Sequence, residues 1–364
     1  MKVLLAMSGG VDSSTAAHLL AAQGHEVIGV RFALWSDPLA PPLSKLLPSK
    51  CCTVQSISRA NQVAKKLAIP LHVVDLTDEF KRKVVDKYLS AHRKGLTPNP
   101  CVGCNRRIKF DQLLKLATKY GCQKVATGHY ARIEVERLPD GKDIFLLMEA
   151  ADSGKDQSYY LHGLRQKHLR KIIFPLGAMK KSTVMDVARD FGVPLPDDYQ
   201  QSQDLCFFPE KTPEEFLKRH LKREIKPGEI ILRNGQILGR HEGLPLYTIG
   251  QRRGLKIGGL RIPLEVVAKN MRHNRLIVAP KGQETVSEVR LTEMRFVSWR
   301  PEKNKAIPFD CRTRSLSKKR SGKLTFKGKT AVFHFSEPQP LPTAGQSLVL
   351  YRGEEVVGGG VIER

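Results

Sequence analysis

The stretch Ser8-Gly9-Gly10-Val11-Asp12-Ser13-Ser14 constrains this chain more than any other. It follows an apolar run at 3–7 and precedes an Ala/Leu-rich stretch at 15–22, the order of a strand, a tight glycine turn and a helix. Glycines let the backbone come close to a ligand, and hydroxyls with the N–H groups of a helix start offer hydrogen bonds to phosphate oxygens. The turn therefore predicts a pyrophosphate cradle. An ordinary capped βα turn would need a single capping residue rather than this concentration of glycine and serine. It is not a Walker A loop, since G-x-x-x-x-G-K-[ST] occurs nowhere in the chain.

The βα alternation continues, with strands predicted at 25–32, 71–75 and 124–127 and helices at 54–67, 79–92 and 105–119. This predicts an α/β fold with a doubly wound parallel sheet, whose ligand sits beyond the carboxyl ends of the strands. SGGVDSS and Thr127-Gly128-His129-Tyr130 both fall there. Residues 35–49, rich in Pro and Leu, read as a mobile loop near the nucleotide. A second helical region is expected at 158–191, and the polar, turn-rich 196–203 reads as a flexible loop leading to Cys206. Beyond 213 short strands with Gly, Asn and Pro turns dominate. The expected domains are 1–206, a doubly wound catalytic unit; 207–281, small and β-rich; and 282–364, a β-barrel with strands at 331–335 and 347–351.

Charge adds the second constraint. Lys and Arg number 61 against 36 acids, a formal net charge of +25, and the excess is clustered. Residues 81–109 hold nine Lys/Arg against one acid, and residues 300–329 eleven against two. Separate basic blocks on different parts of a chain fit a polyanion that spans domains, so nucleic acid is the expected partner. No apolar run approaches a membrane span and Met1 stands just before the first strand, so no membrane association is expected and the predicted location is cytoplasmic. Seven cysteines, an odd number, argue for chemistry or metal binding rather than a disulfide framework.

Cys101-Val102-Gly103-Cys104 lies at a loop-to-helix junction, where it can be a redox pair, two metal ligands or a nucleophile activated by the helix start. Cys51, Cys52, Cys122 and Cys311 read as structural. In order along the chain stand SGGVDSS at 8–14, TPNPCVGCNRRIKF at 97–110, TGHYAR at 127–132, KDQSYYL at 155–161, FPLG at 174–177, YTIGQRRGL at 247–255 and GGGVI at 358–362. The first resembles the PP-loop of the ATP pyrophosphatases. Together, over almost the full length, the motifs resemble the tRNA-specific 2-thiouridylases, which put sulfur on position 2 of the wobble uridine.

The resemblance implies an ATP-dependent transferase that adenylates the C2 oxygen of the uridine and then replaces it with sulfur, giving 2-thiouridine, AMP and pyrophosphate. It implies that Ala6, Met7, Ser8, Gly9, Gly10, Val11, Asp12, Ser13, Phe32 and Gly128 bind ATP. Asp12 is the natural Mg²⁺ partner, since Mg²⁺ prefers carboxylate and phosphate oxygens. Asn99, Pro100 and Cys101 match positions that contact the flipped base. His129, Lys155, Asp156, Gln157, Arg314, Ser315 and Gln346 match tRNA-facing positions, although Arg314-Ser315 stands where many members have Arg-Tyr. Cys104 matches the nucleophile and Cys206 the persulfide carrier. Some members have aspartate in place of Cys101, and this departure leaves two mechanisms open. Either a Cys104–Cys206 persulfide relay ends in a disulfide, or Cys101, Cys104 and Cys206 hold a [4Fe-4S] cluster with one open iron. The family further suggests the tRNAs for Lys, Glu and Gln, with sulfur from a cysteine desulfurase or a sulfur-carrier protein. Two other readings compete: a PP-loop ligase acting on a small molecule, which needs no basic blocks, and a non-enzymatic RNA-binding protein, which needs no intact SGGVDSS or cysteines.

Overall fold

Three consecutive residues, Val3, Leu4 and Leu5, are wholly buried in the first strand, as a strand covered on both faces requires. The computed structural model describes residues 1–41, 54–193, 205–258, 262–298, 305–327 and 330–363. Residues 42–49 of the loop expected at 35–49, the whole loop expected at 196–203, and Cys51 and Cys52 lie outside the described residues.

The chain begins β1 (Lys2–Ala6), α1 (Val11–Ala22), β2 (Glu26–Ala33), α2 (Val54–Lys66), β3 (Leu71–Asp75), α3 (Thr77–Phe80), α4 (Asp86–Arg93), α5 (Pro100–Cys104), α6 (Asp111–Lys119) and β4 (Lys124–Ala126). A hairpin, β5 (Arg132–Arg137) and β6 (Asp143–Met148), follows, then α7 (Gln166–Leu169), β7 (Ile172–Ile173) and α8 (Lys181–Asp190). The expected parallel sheet is present, in the order β3-β2-β1-β4-β7. The strand order reverses between β1 and β4, which opens a crevice at their carboxyl ends. SGGVDSS leaves β1 and Thr127-Gly128 leaves β4, so both enter that crevice.

Three local expectations are corrected. The helical region at 158–191 is a 3₁₀ turn (Ser158–Leu161), α7, the edge strand β7 and α8. Ile172 and Ile173 suit a strand better than a helix, and Pro175 ends any helical run through the segment. The helices expected at 79–92 and 105–119 are each interrupted by a π turn, Lys81–Val85 and Asn105–Phe110. The hairpin β5–β6 has no counterpart among the expected strands.

Downstream, α9 (Glu214–His220) precedes β8 (Gly228–Leu232), β9 (Ile237–His241), β10 (Leu264–Asn270) and β11 (Arg275–Pro280), a four-stranded sheet in the order β10-β11-β8-β9. The rest is β12 (Thr285–Phe296), β13 (Ile307–Arg312), β14 (Arg320–Lys327), β15 (Thr330–Pro340), β16 (Ser347–Arg352) and β17 (Glu355–Ile362). These six close into an antiparallel barrel, because β12 pairs with both β15 and β17. Leu291, Phe333, Leu348, Leu350 and Val357 fill it together with Cys311, whose thiol burial pushes up to about 12. The hairpin belongs to the same sheet: β6 pairs with β17 beyond the barrel seam. Glu149, just after β6, sharpens that junction with ion pairs to Arg312 (2.6 Å) and Lys319 (2.5 Å). No helix among the described residues is long and apolar enough to cross a membrane.

Candidate active site

The crevice is shaped by two close backbone approaches. Gly9 has φ +77°, and a Cβ there would stand 1.9 Å from the Ser56 carbonyl oxygen of α2. A Cβ on Gly128 would stand 2.8 Å from the Asp12 carbonyl carbon and the Ser13 nitrogen. The turns after β1 and β4 therefore touch, and a side chain at either glycine would part them. Helix α1 starts at Gly10 with no side chain capping it, which leaves its positive end to an anion. Ser8 is exposed and Gly10 and Asp12 are half-buried, while Val11 and Ser13 are buried. The Ser8 and Ser13 hydroxyls lie 3.2 Å apart. Met7 is buried at the end of the strand, and Ala6 and Phe32 pack partly buried against the core.

Asp12 stands at the mouth of the crevice. Its Oδ1 accepts from the Tyr130 hydroxyl (2.7 Å) and from Lys181 Nζ (2.5 Å), and that ammonium also lies 5.7 Å from the centre of the Tyr130 ring. Lys181 opens α8, where its backbone N–H donates to Asp152. Sequence reasoning missed both Lys181 and the Tyr130–Asp12 bond. The signal is faint: Tyr130 lies in the TGHY marker, and Lys181 follows FPLG at a helix start.

A second centre forms where three parts of the chain meet around residues 97–101. Gln346 Nε2 donates to the Thr97 carbonyl (2.8 Å), and the Thr97 N–H donates to the Ala344 carbonyl (3.0 Å). Thr97 also faces Thr248 of the YTIGQ segment (3.4 Å), and Arg314 Nη2 donates to Thr343, whose hydroxyl in turn reaches the Ile249 carbonyl. Asn99 caps α5 by accepting from the Cys101 N–H (3.2 Å), and Pro100 occupies the first helical turn, where its missing N–H costs nothing. The Tyr160 hydroxyl lies beside Ser315 and Cys101, which places Ser315 in the same group.

The other tRNA-facing candidates lie elsewhere. His129 is half-buried between Phe110 and Phe174 and bonded to Thr127 (2.7 Å); burial and the charge of Lys109 hold its pKa well below the usual histidine value. Gln157 Oε1 accepts from the Tyr130 N–H (3.0 Å), linking the KDQ loop to the residue that holds Asp12. Lys155 is half-buried. Asp156 is 3% exposed, and its carboxylate accepts from the Ala150 and Ser158 backbones and the Ser158 hydroxyl. It organises the loop that carries Lys155 and Gln157.

Cys104 is buried in an apolar cluster with Phe80, Tyr88, Ile108, Phe207 and Phe216, and Cys206 packs against the same cluster. Phe32, from the end of β2, joins it and connects it to the crevice. The cluster is closed by a buried ion-pair group. The Asp37 carboxylate, fully buried, accepts from Arg219 (2.6 Å) and from His220 (2.8 Å) of α9. The Asp37 N–H donates to the carbonyl of Phe207, the residue after Cys206. Among the described residues no three His, Cys, Asp or Glu side chains stand close enough together to hold a metal ion. Cys101 faces Tyr88, a member of the cluster that Cys104 and Cys206 share, and Tyr160.

Comparison with known proteins gives a consistent result. Models described as tRNA methyl transferase HUP domain, tRNA methyl transferase PRC-barrel domain and aminomethyltransferase beta-barrel domain match residues 1–210, 214–280 and 286–362 in turn. The tRNA-specific 2-thiouridylase MnmA of Carboxydothermus hydrogenoformans is 39% identical over 364 residues, covering 100% of this chain and 98% of the relative. The protein of that name from Chloroflexus aurantiacus is 42% identical over 366 residues, again covering 100% and 98%.

Proposed function

The chain belongs to the tRNA-specific 2-thiouridylase family, and from that premise we propose that it uses ATP to adenylate the C2 oxygen of a tRNA wobble uridine and replaces that oxygen with sulfur. Uracil C2 is a poor electrophile and its oxygen a poor leaving group. Attack of that oxygen on the α-phosphorus of ATP breaks the bond to the β-phosphate and releases pyrophosphate. The Gly9-Gly10 turn and the start of α1 supply backbone donors for the departing charge. Lys181, ion-paired with the Asp12 carboxylate, would neutralise the same charge. Mg²⁺ would be held by Asp12 together with phosphate oxygens, a donor set that this ion accepts, and would supply Lewis acidity there.

The terminal sulfur of a Cys206 persulfide then attacks C2 and AMP leaves with the C2 oxygen. The Cys104 thiolate attacks Cys206 Sγ and breaks the S–S bond, leaving sulfur on the base and a Cys104–Cys206 disulfide for a dithiol reductant to clear. In the alternative order Cys104 first releases hydrosulfide, which attacks C2. Asn99, Pro100 and Cys101, with Arg314, Ser315 and Gln346, would receive the flipped uridine at the junction of the three units 1–206, 207–281 and 282–364. The tRNAs for Lys, Glu and Gln, and sulfur from a cysteine desulfurase or a carrier protein, complete the reading.

The observation that carries it is the packing of Cys104 and Cys206, distant in sequence, on one cluster that abuts the phosphate crevice. The test is thiolation of an unmodified tRNA transcript with ATP and a persulfide donor, with pyrophosphate followed in parallel. Cys206→Ser should abolish 2-thiouridine while tRNA-dependent pyrophosphate release persists. Full thiolation by Cys206→Ser would sink the relay.

A further inference from the structure

Two irregularities in the backbone bring arginines from separate elements together. The π turn Asn105–Phe110 carries Arg106 and Arg107 directly after Cys104. On β12 the ladder to β17 is broken by a bulge between Thr292 and Arg295, with Glu293 at φ +50°, and a bulge re-aims the side chains beside it. Arg295 pairs with Gly359, where a Cβ would stand 2.8 Å from the His162 ring, and a Cβ on Gly163 would stand 3.7 Å from Arg106 Cδ, so Arg106 and Arg295 both border the 162–165 turn that carries Arg165. Each member feels its neighbours: Arg106 is pushed down to about 10 by burial and then by Arg295 and Arg107, and Arg295 is lowered by burial and then by Arg165. Lys87 of α4 borders the group and is lowered by burial and by Arg107.

Two carboxylates, Asp111 and Glu293, stand near enough to offset this cluster in part, but neither pairs with it. Among the described residues no ion pair or side-chain hydrogen bond involves the guanidinium groups of Arg106, Arg165 or Arg295. Of the carboxylates that face them, Asp111 is committed to His168 (2.9 Å) and Lys167 (3.6 Å). Glu293 pairs with no cation among the described residues and stands exposed. Arg312 and Lys319, by contrast, are matched by Glu149. Converging like charges without partners, two of them half-buried, are what a bound polyanion would offset.

We propose that Arg106, Arg165 and Arg295 form a site for backbone phosphates of the anticodon loop, close to the nucleotide being modified. The proposal rests on the tRNA reading above. Position selects the occupant: at about 1.5 Å per residue Arg106 lies about 7 Å along the helix from Cys101, so the cluster borders the expected base site, where the phosphates flanking the target nucleotide would lie. The site would hold the loop in register while the target base leaves the stack.

The test is binding of the full chain to an anticodon stem-loop RNA across a salt series, with Arg165→Gln, Arg295→Gln and their combination. Wild type should bind, and the double variant should bind at least tenfold more weakly. Its slope of log K against log salt should be shallower by about 0.7 for each phosphate no longer neutralised. ATP affinity and the melting temperature should be unchanged or the latter raised, since removal of like charges relieves repulsion; Arg165→Lys and Arg295→Lys should restore most binding. An unchanged salt slope in the double variant overturns the proposal while leaving the tRNA reading intact. So does RNA binding at wild-type strength with loss only of donor-protein-dependent thiolation, which would assign the cluster to an acidic protein. Failure of the wild type to bind the RNA overturns the tRNA reading, and the phosphate site with it.

Discussion

Gly9 is glycine for two independent reasons, a left-handed backbone and a carbonyl 1.9 Å from where a Cβ would be. Gly9→Ala is expected to cost about 1–3 kcal/mol in strain and to push α2 away from the crevice. Its melting temperature should fall, and ATP affinity should fall at least tenfold in a titration on the folded protein. The contact with Ser56 is not legible in the sequence, because α2 is distant along the chain and only the fold brings it under the turn. The turn's glycine-and-serine composition is enough to predict the cradle. The partners of Asp12 are not predictable: Tyr130 and Lys181 reach it from after β4 and from the start of α8, and nothing in local spacing couples those positions.

At the scale of elements, α5 is a short helix capped by the Asn99 side chain, and it carries both cysteines of the C-x-x-C. Asn99→Ala should cost about 1 kcal/mol. Because the first turn also positions Cys101 and Cys104, thiolation should drop more than the shift in urea midpoint alone accounts for. The Asp37 group ties α9 to the segment after β2 and borders Cys206. Asp37→Ala leaves His220 without its carboxylate and Arg219 with Glu210 alone beside an apolar cluster, and should destabilise by about 3 kcal/mol. Limited proteolysis should then cut near Cys206 earlier than in wild type. Regular elements with strong periodicity, such as β1, α1 and β2, are readable because both faces of the sheet are covered and the pattern is unambiguous. The β5–β6 hairpin escapes that reading although Ile133 and Val135 alternate with charges and Pro139-Asp140-Gly141 marks a turn. Its exposed outer strand lacks the continuous apolar run that marks the inner strands. The π turns are not readable either, since a one-residue insertion leaves helical periodicity almost intact.

For the whole molecule, buried histidines set the acid limit. His92 and His162, at 2% and 4% exposure, are each held down to about 4 by burial, and His129 is lowered for the same reason. The unfolded chain binds protons at these sites near the ordinary value of 6.5 whereas the native state does not. Their contribution is therefore fully present above about 6.5 and is lost as pH falls toward about 4. Urea midpoints should decline steadily between pH 7 and pH 5. His92→Gln should flatten that decline whatever it does to stability at pH 7.

The pairing of β6 with β17 has a consequence in time. Met148 meets Glu355 only after about two hundred further residues have been made, which at about 5–20 residues per second is on the order of 10–40 s on the ribosome. Throughout that interval β6 waits with one edge open, so the catalytic unit reaches its finished form only when the barrel's closing strand arrives. A message broken anywhere in between would yield a nascent chain with an unsealed β edge, a substrate for chaperones and proteases rather than a half-active enzyme competing for tRNA.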